Sequence, residues 1–389
     1  MHVFFSVGEP SGDQHAAALI RELRRKAPQI RISGFGGPRM EQSGCQLLFP
    51  LTTLAVMGIF AVIPCLWKFY RLYRMARDYL ARHRPDLVVL VDFPGFNWWI
   101  AKAAKSQGIP VVYYLPPQLW AWAPWRIRKV RKYVDLVLSG LPFEAEWYAA
   151  RGIPALYVGH PFFDEVAEHP LDAAFLREWT SADQVTVALL PGSRRHEVEG
   201  NWPLMLDVVR RLHRLHPEVQ FLVANYLDTH RQRCQAELQP ADRALPVSFF
   251  VGRTPEIIEL ADCALMVSGS VSLEMLARGT PATVLYRVGR MTYLIGRMLV
   301  TCRFMSLPNL IAGRMLMPEH LSVGDAEPAI RAATEDLHQW LNDPATRDQA
   351  RSELLALRER LFSVGASQRV AQLLLDRLSP SALPPSRAA

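Results

Sequence analysis

Leu189-Leu190-Pro191-Gly192-Ser193-Arg194, placed between the apolar run that starts at Val185 and the acidic Glu197-Val198-Glu199, decides how this chain is read. The run has the form of a buried strand that ends in a tight glycine turn. At the carboxyl edge of a parallel sheet, such a turn frees backbone N–H groups, and an adjacent arginine can join them on an anion such as a diphosphate. An ordinary turn with a solvated arginine is the competing reading of this segment taken alone. A second Gly/Ser turn, Ser268-Gly269-Ser270, stands before a helix that carries Glu274. Two such turns in one half of the chain point to a nucleotide held along a sheet edge.

Outward from that segment, short β-branched and aromatic runs alternate with helical periodicity, the pattern of α/β layers built on parallel sheets. Strands are expected at residues 2–7, 31–35, 87–91, 111–114, 136–139 and 155–158 in the first half. A second set begins at 185 and continues at 220–224, 247–251, 263–267 and 282–286, with helical stretches such as 202–216 and 254–261 between. The expected organisation is therefore two doubly wound domains facing a cleft. The first spans residues 1–163, a linker 164–184, the second 185–362, a C-terminal helix 363–378 expected to pack on the first domain or on a partner subunit, and a Pro/Ser/Ala-rich disordered tail 379–389.

The 389 residues are 50% hydrophobic and 21% charged, enough for two full cores. A formal net charge of +7 favours anionic partners. The basic residues are dispersed and no nucleic-acid motif accompanies them, so nucleic acid is the least favoured partner. Five scattered cysteines without CxxC spacing indicate neither a zinc site nor a disulfide framework, which makes the cytosol the natural compartment. Residues 47–67 carry no charged side chain, but Pro50, Thr52, Thr53, Gly58 and Pro64 interrupt any continuous helix. That stretch reads as a monotopic apolar surface or a buried loop rather than a membrane span.

The first strand runs into Gly8-Glu9-Pro10-Ser11-Gly12-Asp13, where glycines let a ligand approach the backbone and Ser11 or Asp13 can cap the helix that follows. The spacing is neither a Walker loop nor a full GxGxxG. The wholly apolar strand at 87–91 runs into Asp92-Phe93-Pro94-Gly95-Phe96-Asn97. A carboxylate just past such a strand can take a proton from an attacking hydroxyl, or it can cap the helix starting near Phe96. His160 and His196 are rival proton acceptors.

With these turns the chain resembles the lipid-A-disaccharide synthases, which are GT-B glycosyltransferases. The matching segments include the Gly8–Asp13 turn, Gly37-Pro38-Arg39-Met40, Ala55-Val56-Met57-Gly58, Asp92 to Asn97, Trp120-Ala121-Trp122, Val158-Gly159-His160-Pro161, the Pro191–Arg194 turn and Ser306-Leu307-Pro308-Asn309-Leu310. The resemblance implies inverting transfer of 2,3-diacylglucosamine from its UDP ester to 2,3-diacylglucosamine 1-phosphate (lipid X), giving a β-1,6 disaccharide and UDP. It implies no cofactor and no metal, the UDP-sugar being a substrate. Asp92 matches the family's general base. Gly192, Ser193 and Arg194 fall on the diphosphate, Glu274 with Ser268, Gly269 and Ser270 on the nucleoside, and Asn309 near the donor sugar or diphosphate. Glu9, Ser11 and Gly12 complete the substrate-binding set.

Acylated substrates ask for apolar surface flanked by cations. Residues 63–84 supply both at helical spacing, and Leu66, Trp67, Phe69, Tyr70 and Tyr73 with Arg71 and Arg74 are the expected lipid contacts. A core-facing helix with a basic outer face is the alternative. Residues 291–305 are a second lipid-contact candidate. The expected location is peripheral, against anionic lipids on the cytoplasmic face of the inner membrane. The family's dimers, which exchange C-terminal elements, suggest a homodimer through 344–361 and 366–377. Gly95, Pro116, Gln118, Ala123 and Trp125 depart from the family's usual acidic, serine and basic residues, which bears on acceptor recognition. A sugar-nucleotide epimerase and a non-catalytic nucleotide-sugar or lipid-binding protein are the rival functions.

Overall fold

The chain forms two compact units, one made of Met1–Asp164 with Ser363–Ala389 and the other of Glu165–Phe362. The computed structural model describes residues 1–55, 62–180, 184–361 and 363–379. The Ala55-Val56-Met57-Gly58 segment thus falls largely outside the described residues, as does the tail expected to be disordered.

In the first unit seven strands pair wholly in parallel: β1 (His2–Val7), β2 (Arg31–Phe35), β3 (Gln46–Phe49), β4 (Leu87–Val91), β5 (Val111–Tyr114), β6 (Leu136–Ser139) and β7 (Ala155–Tyr157). Their order is β3-β2-β1-β4-β5-β6-β7. In the second unit β8 (Thr186–Leu190), β9 (Gln220–Asn225), β10 (Val247–Val251), β11 (Cys263–Met266), β12 (Ala282–Val288) and β13 (Glu319–Val323) take the order β10-β9-β8-β11-β12-β13, again all parallel. The central strands carry no outward polar face because helices cover both sides, so Leu87–Val91 is buried at every position.

The order reverses between β1 and β4 in one sheet and between β8 and β11 in the other. In open α/β sheets the crevice beyond the strand ends at such a reversal is where ligands bind. The four turns singled out in the sequence are the ones that leave these four strands.

Three elements differ from expectation. The edge strands β3 and β13 were not foreseen: the three apolar residues of β3 merge into the uncharged stretch 47–67, and β13, EHLSV, is half-exposed without an apolar run. The helix expected from residue 202 begins seven residues earlier, at Arg195, and runs to Leu215 with Pro203 inside it. The helix Ala366–Leu378 is not among these three: it takes one of its two expected places, on the first unit, where Val370, Ala371 and Leu374 are fully buried in one cluster with Val3, Leu19 and Leu23. Asp164 fixes its start, accepting the N–H groups of Gly365 at 2.7 Å, Ala366 at 3.2 Å and Ser367 at 3.0 Å.

Candidate active site

In the first unit Val7 and Val91 sit side by side in register, so the turns that follow them emerge together. Asp92 and Phe93 both adopt left-handed backbone conformations, with φ of 46°. Such a conformation costs a non-glycine residue about 1 kcal/mol or more and needs support. The support is visible. The Asn97 amide donates to the carbonyls of Asp92 (2.7 Å), Val91 (3.1 Å) and Ser6 (3.2 Å), and the Tyr113 hydroxyl donates to the Asp92 carbonyl at 2.7 Å. The Ser6 hydroxyl in turn fixes Asn97 Oδ1 at 2.6 Å. Neither Asn97 nor Tyr113 was given a role from the sequence.

With its backbone clamped, Asp92 presents a half-buried carboxylate that accepts no hydrogen bond among the described residues. Capping was its competing role, and the structure does not use it: the helix Pro94–Lys105 starts at Phe93 without a side-chain cap. Burial pushes the Asp92 carboxyl up to about 7, against the opposing pull of His15 and with a further push from Glu9. A base poised near neutrality is well matched to taking a hydroxyl proton. Gly12 packs against it, since a first side-chain carbon there would stand 3.1 Å from Asp92 Oδ2. Ser11 is exposed at the start of the helix Pro10–Lys26, and Glu9 is half-buried just before it.

Asp13 does cap a helix, though not its own. It accepts the N–H groups of Gly37, Arg39 and Met40 and so holds the helix Pro38–Gln42. His160 is a poor rival base because burial, reinforced by His15, lowers it to about 3. A further buried carboxylate, Glu144, went unnoticed in the sequence. Burial raises it to about 7 despite hydrogen bonds from Ser139 and from the Trp120 indole at 2.9 Å.

In the second unit Leu190 pairs with Met266, which brings the Pro191–Arg194 and Ser268–Ser270 turns together. Gly192 has φ of 122°, and a side chain there would collide with the Glu197 Cβ, 2.6 Å away. One expectation needs correction at this turn. The N–H groups of Ser193 and Arg194 are not free, because buried Glu197 accepts both at 3.1 Å, as a carboxylate at the third helical position commonly does. Glu197 also takes one Arg194 guanidinium nitrogen at 3.1 Å. The Arg194 side chain is otherwise 66% exposed and open to an anion.

Glu274 is buried rather than solvated, and burial raises its carboxyl while Arg278, at 3.3 Å, lowers it. Ser270 precedes the helix Val271–Arg278, and Ser268 Oγ donates to the Met305 carbonyl at 2.7 Å. Asn309 also needs correction. Its amide donates to the Met317 carbonyl and to Glu319, and accepts the N–H groups of Leu316 and Met317. Both hydrogens and both lone pairs are used, so it braces the loop and offers nothing to a ligand. Glu319 is the unforeseen centre of that brace, accepting from Met305, Ser306 and Asn309. A lone carboxylate opening an edge strand carries no sequence signal.

The helix Val62–His83 divides the expected lipid contacts. Phe69 and Tyr73 are partly buried against the core, with Phe69 stacked near Phe93 and Phe96, so these two serve packing. Trp67 and Tyr70 are exposed and stacked on each other, beside exposed Arg71 and Arg74. The side chain of Leu66 lies outside the described residues. Among those residues no helix is long and apolar enough to cross a membrane.

Comparison with known proteins now separates the functions that such turns permit. The family described as lipid-A-disaccharide synthetase matches residues 3–372. The chain belongs to this family. Among curated relatives, the lipid-A-disaccharide synthase of Anaeromyxobacter dehalogenans (strain 2CP-1 / ATCC BAA-258) is 38% identical over 96% of each chain. The synthase of Myxococcus xanthus (strain DK1622) is 36% identical over the same share. Membership assigns a glycosyltransferase role in lipid A biosynthesis. Solved structures similar to the chain include the UDP-GlcNAc 2-epimerase of Neisseria meningitidis, with a TM-score of 0.66 and 15% identity over 97% of this chain and 100% of that one. The glycosyltransferase of kitacinnamycin gives 0.62 and 17% over 97% and 99%. At that identity the likeness shows the fold alone, the two-sheet α/β GT-B architecture. The epimerase reading is therefore not favoured by it, since the sequence relatives are synthases.

Proposed function

We propose that the chain transfers 2,3-diacylglucosamine from its UDP ester to the 6-hydroxyl of 2,3-diacylglucosamine 1-phosphate (lipid X) with inversion, forming the β-1,6 disaccharide and releasing UDP. The observation that carries this reading is Asp92: a carboxylate past a buried strand, raised to about 7 by burial, with its backbone clamped by Asn97 and Tyr113. It takes the hydroxyl proton as the anomeric carbon becomes cationic and the bond to the diphosphate breaks. Arg194 meets the charge growing on the departing UDP, with Gly192 and Ser193 shaping the turn rather than lending two free N–H groups. Glu274 accepts ribose hydroxyls beside the Ser268–Ser270 turn. Glu9, Ser11 and Gly12 line the acceptor half, and no metal is needed for the proton or the charge.

The enzyme works as a peripheral protein on the cytoplasmic leaflet, with Trp67 and Tyr70 entering the lipid and Arg71 and Arg74 meeting anionic headgroups. A homodimer would use the helix Pro344–Leu361, since the apolar face of Ala366–Leu378 is already packed in the first unit. Incubating pure protein with UDP-diacylglucosamine and lipid X, then weighing the products, tests the reaction. A disaccharide 1-phosphate is expected, and recovery of unreacted substrates rejects the reading.

A further inference from the structure

The helix Arg290–Leu299 in the second unit presents Met291, Leu294, Ile295, Met298 and Leu299 on one stripe, and none of its residues is buried. Met298 is 80% exposed and Met291 70%. Leaving such a stripe in water is costly, and contiguous exposed apolar patches of this kind mark binding surfaces. Residues 287–303 contain four arginines (Arg287, Arg290, Arg297 and Arg303) and no acidic residue. Such a face suits a ligand that is apolar and attached to a negative group.

Four residues beyond the helix, the chain enters the wall of an open 430 Å³ cavity lined by Phe304, Met305, Gly313, Met315 and Leu321, with Arg303, Arg314 and Glu319, the last occupied by the Met305, Ser306 and Asn309 donors. The volume lies within the range of small-ligand sites, about 300–1,000 Å³. Its position ties it to chemistry already described. Met305 is held through its carbonyl by Ser268 Oγ and through its N–H by Glu319, so the cavity wall is continuous with the turn assigned to the sugar nucleotide.

We propose that this cavity and the stripe leading to it bind a fatty acyl chain of the donor glycolipid, so that the unit that holds UDP also holds the donor's lipid. The inference rests on the reading above, in which the Ser268–Ser270 turn belongs to the donor. The acyl chain lies along Met298 and Leu294 and enters between Met315 and Phe304.

The test compares kcat/KM for long-chain and short-chain UDP-diacylglucosamine donors in detergent micelles, together with the Kd for UDP. The wild type should prefer the long-chain donor. In Leu294→Ser/Met298→Ser and in the cavity-filling Met315→Trp, that preference should fall by about tenfold, the order expected for losing part of a buried chain. UDP affinity should stay unchanged. Leu215→Ser, which removes an exposed apolar side chain elsewhere in the same unit, should leave the preference intact. If the variants keep the long-chain preference while UDP still binds, the acyl site is wrong and the glycosyltransferase reading survives. Equal losses for both donors also overturn it, as does an effect seen only with vesicles, which would mark a membrane contact instead. If wild type binds no UDP, the underlying reading falls and this inference with it.

Discussion

At the scale of single residues, Asp92 ties function to a cost in stability. A carboxyl raised to about 7 in the folded state binds its proton more tightly than in the unfolded chain, where about 3.9 is normal. Between those values the folded state holds the extra proton, so stability falls as pH rises through that window, and the full penalty is present above pH 7. Asp92→Asn removes the charge and should be more stable than wild type at neutral pH by about 1–3 kcal/mol, with the gain fading below about pH 4. Thermal unfolding at the two pH values checks this. The same variant should lose about 10²- to 10⁴-fold in turnover, and wild-type kcat/KM should fall about tenfold per pH unit below an apparent pKa near 7. A flat acid limb would remove Asp92 as the base. Arg194→Ala should weaken UDP binding by about ten- to a hundredfold in calorimetry, since a charge-assisted contact is worth about 1.5–3 kcal/mol. Asn309 shows where residue-level reading stopped: its motif was plain, but only the fold reveals that its amide is saturated by its own loop.

At the scale of elements, the sequence was most informative where burial is complete. Strands such as Leu87–Val91 are apolar throughout because both faces are covered, and their bounds were legible to the residue. Edge strands lack that signature. Gln46–Phe49 is apolar for only three residues and runs on into an uncharged stretch, and Glu319–Val323 mixes exposed, half-buried and buried positions, so no bounded run or strict alternation marks either. The turns after β1, β4, β8 and β11 were equally legible, and Asn97 and Glu197, which hold two of them, lie within the same segments; Tyr113 reaches the Asp92 carbonyl from the next strand, a contact that spacing alone does not report. The helix Val62–His83 illustrates the same limit. Its periodicity was clear, yet only packing shows that Phe69 and Tyr73 face the core while Trp67 and Tyr70 do not. Trp67→Ser/Tyr70→Ser should therefore reduce sedimentation with anionic vesicles without lowering the melting temperature. Arg71→Ala and Arg74→Ala should each cost about 1 kcal/mol of that binding and make its loss with salt shallower, because less of what remains is electrostatic. Unchanged sedimentation would place the membrane face elsewhere.

At the scale of the whole molecule, the two sheets repeat one plan, with strand order reversing beside the first strand of each. Residues 165–184, read as a linker, fall in the second unit, where Phe175 packs on Phe250; for the last helix composition left the first domain and a partner subunit both open, because its partners lie more than three hundred residues earlier. Asp164 is the clasp of that return. Asp164→Ala removes three acceptors' worth of N–H bonding at the helix start and should lower stability by about 1–3 kcal/mol, read as a fall in melting temperature of the first unit. An unaltered melting curve would show that the Val370, Ala371 and Leu374 contacts suffice alone.

That returning helix has a consequence for biogenesis. The first unit's sheet leaves the ribosome early, yet the side chains that finish one face of it are translated only after the entire second unit. The second unit can therefore mature first, while Leu19 and Leu23 stay uncovered on the nascent chain and open to chaperones for most of synthesis.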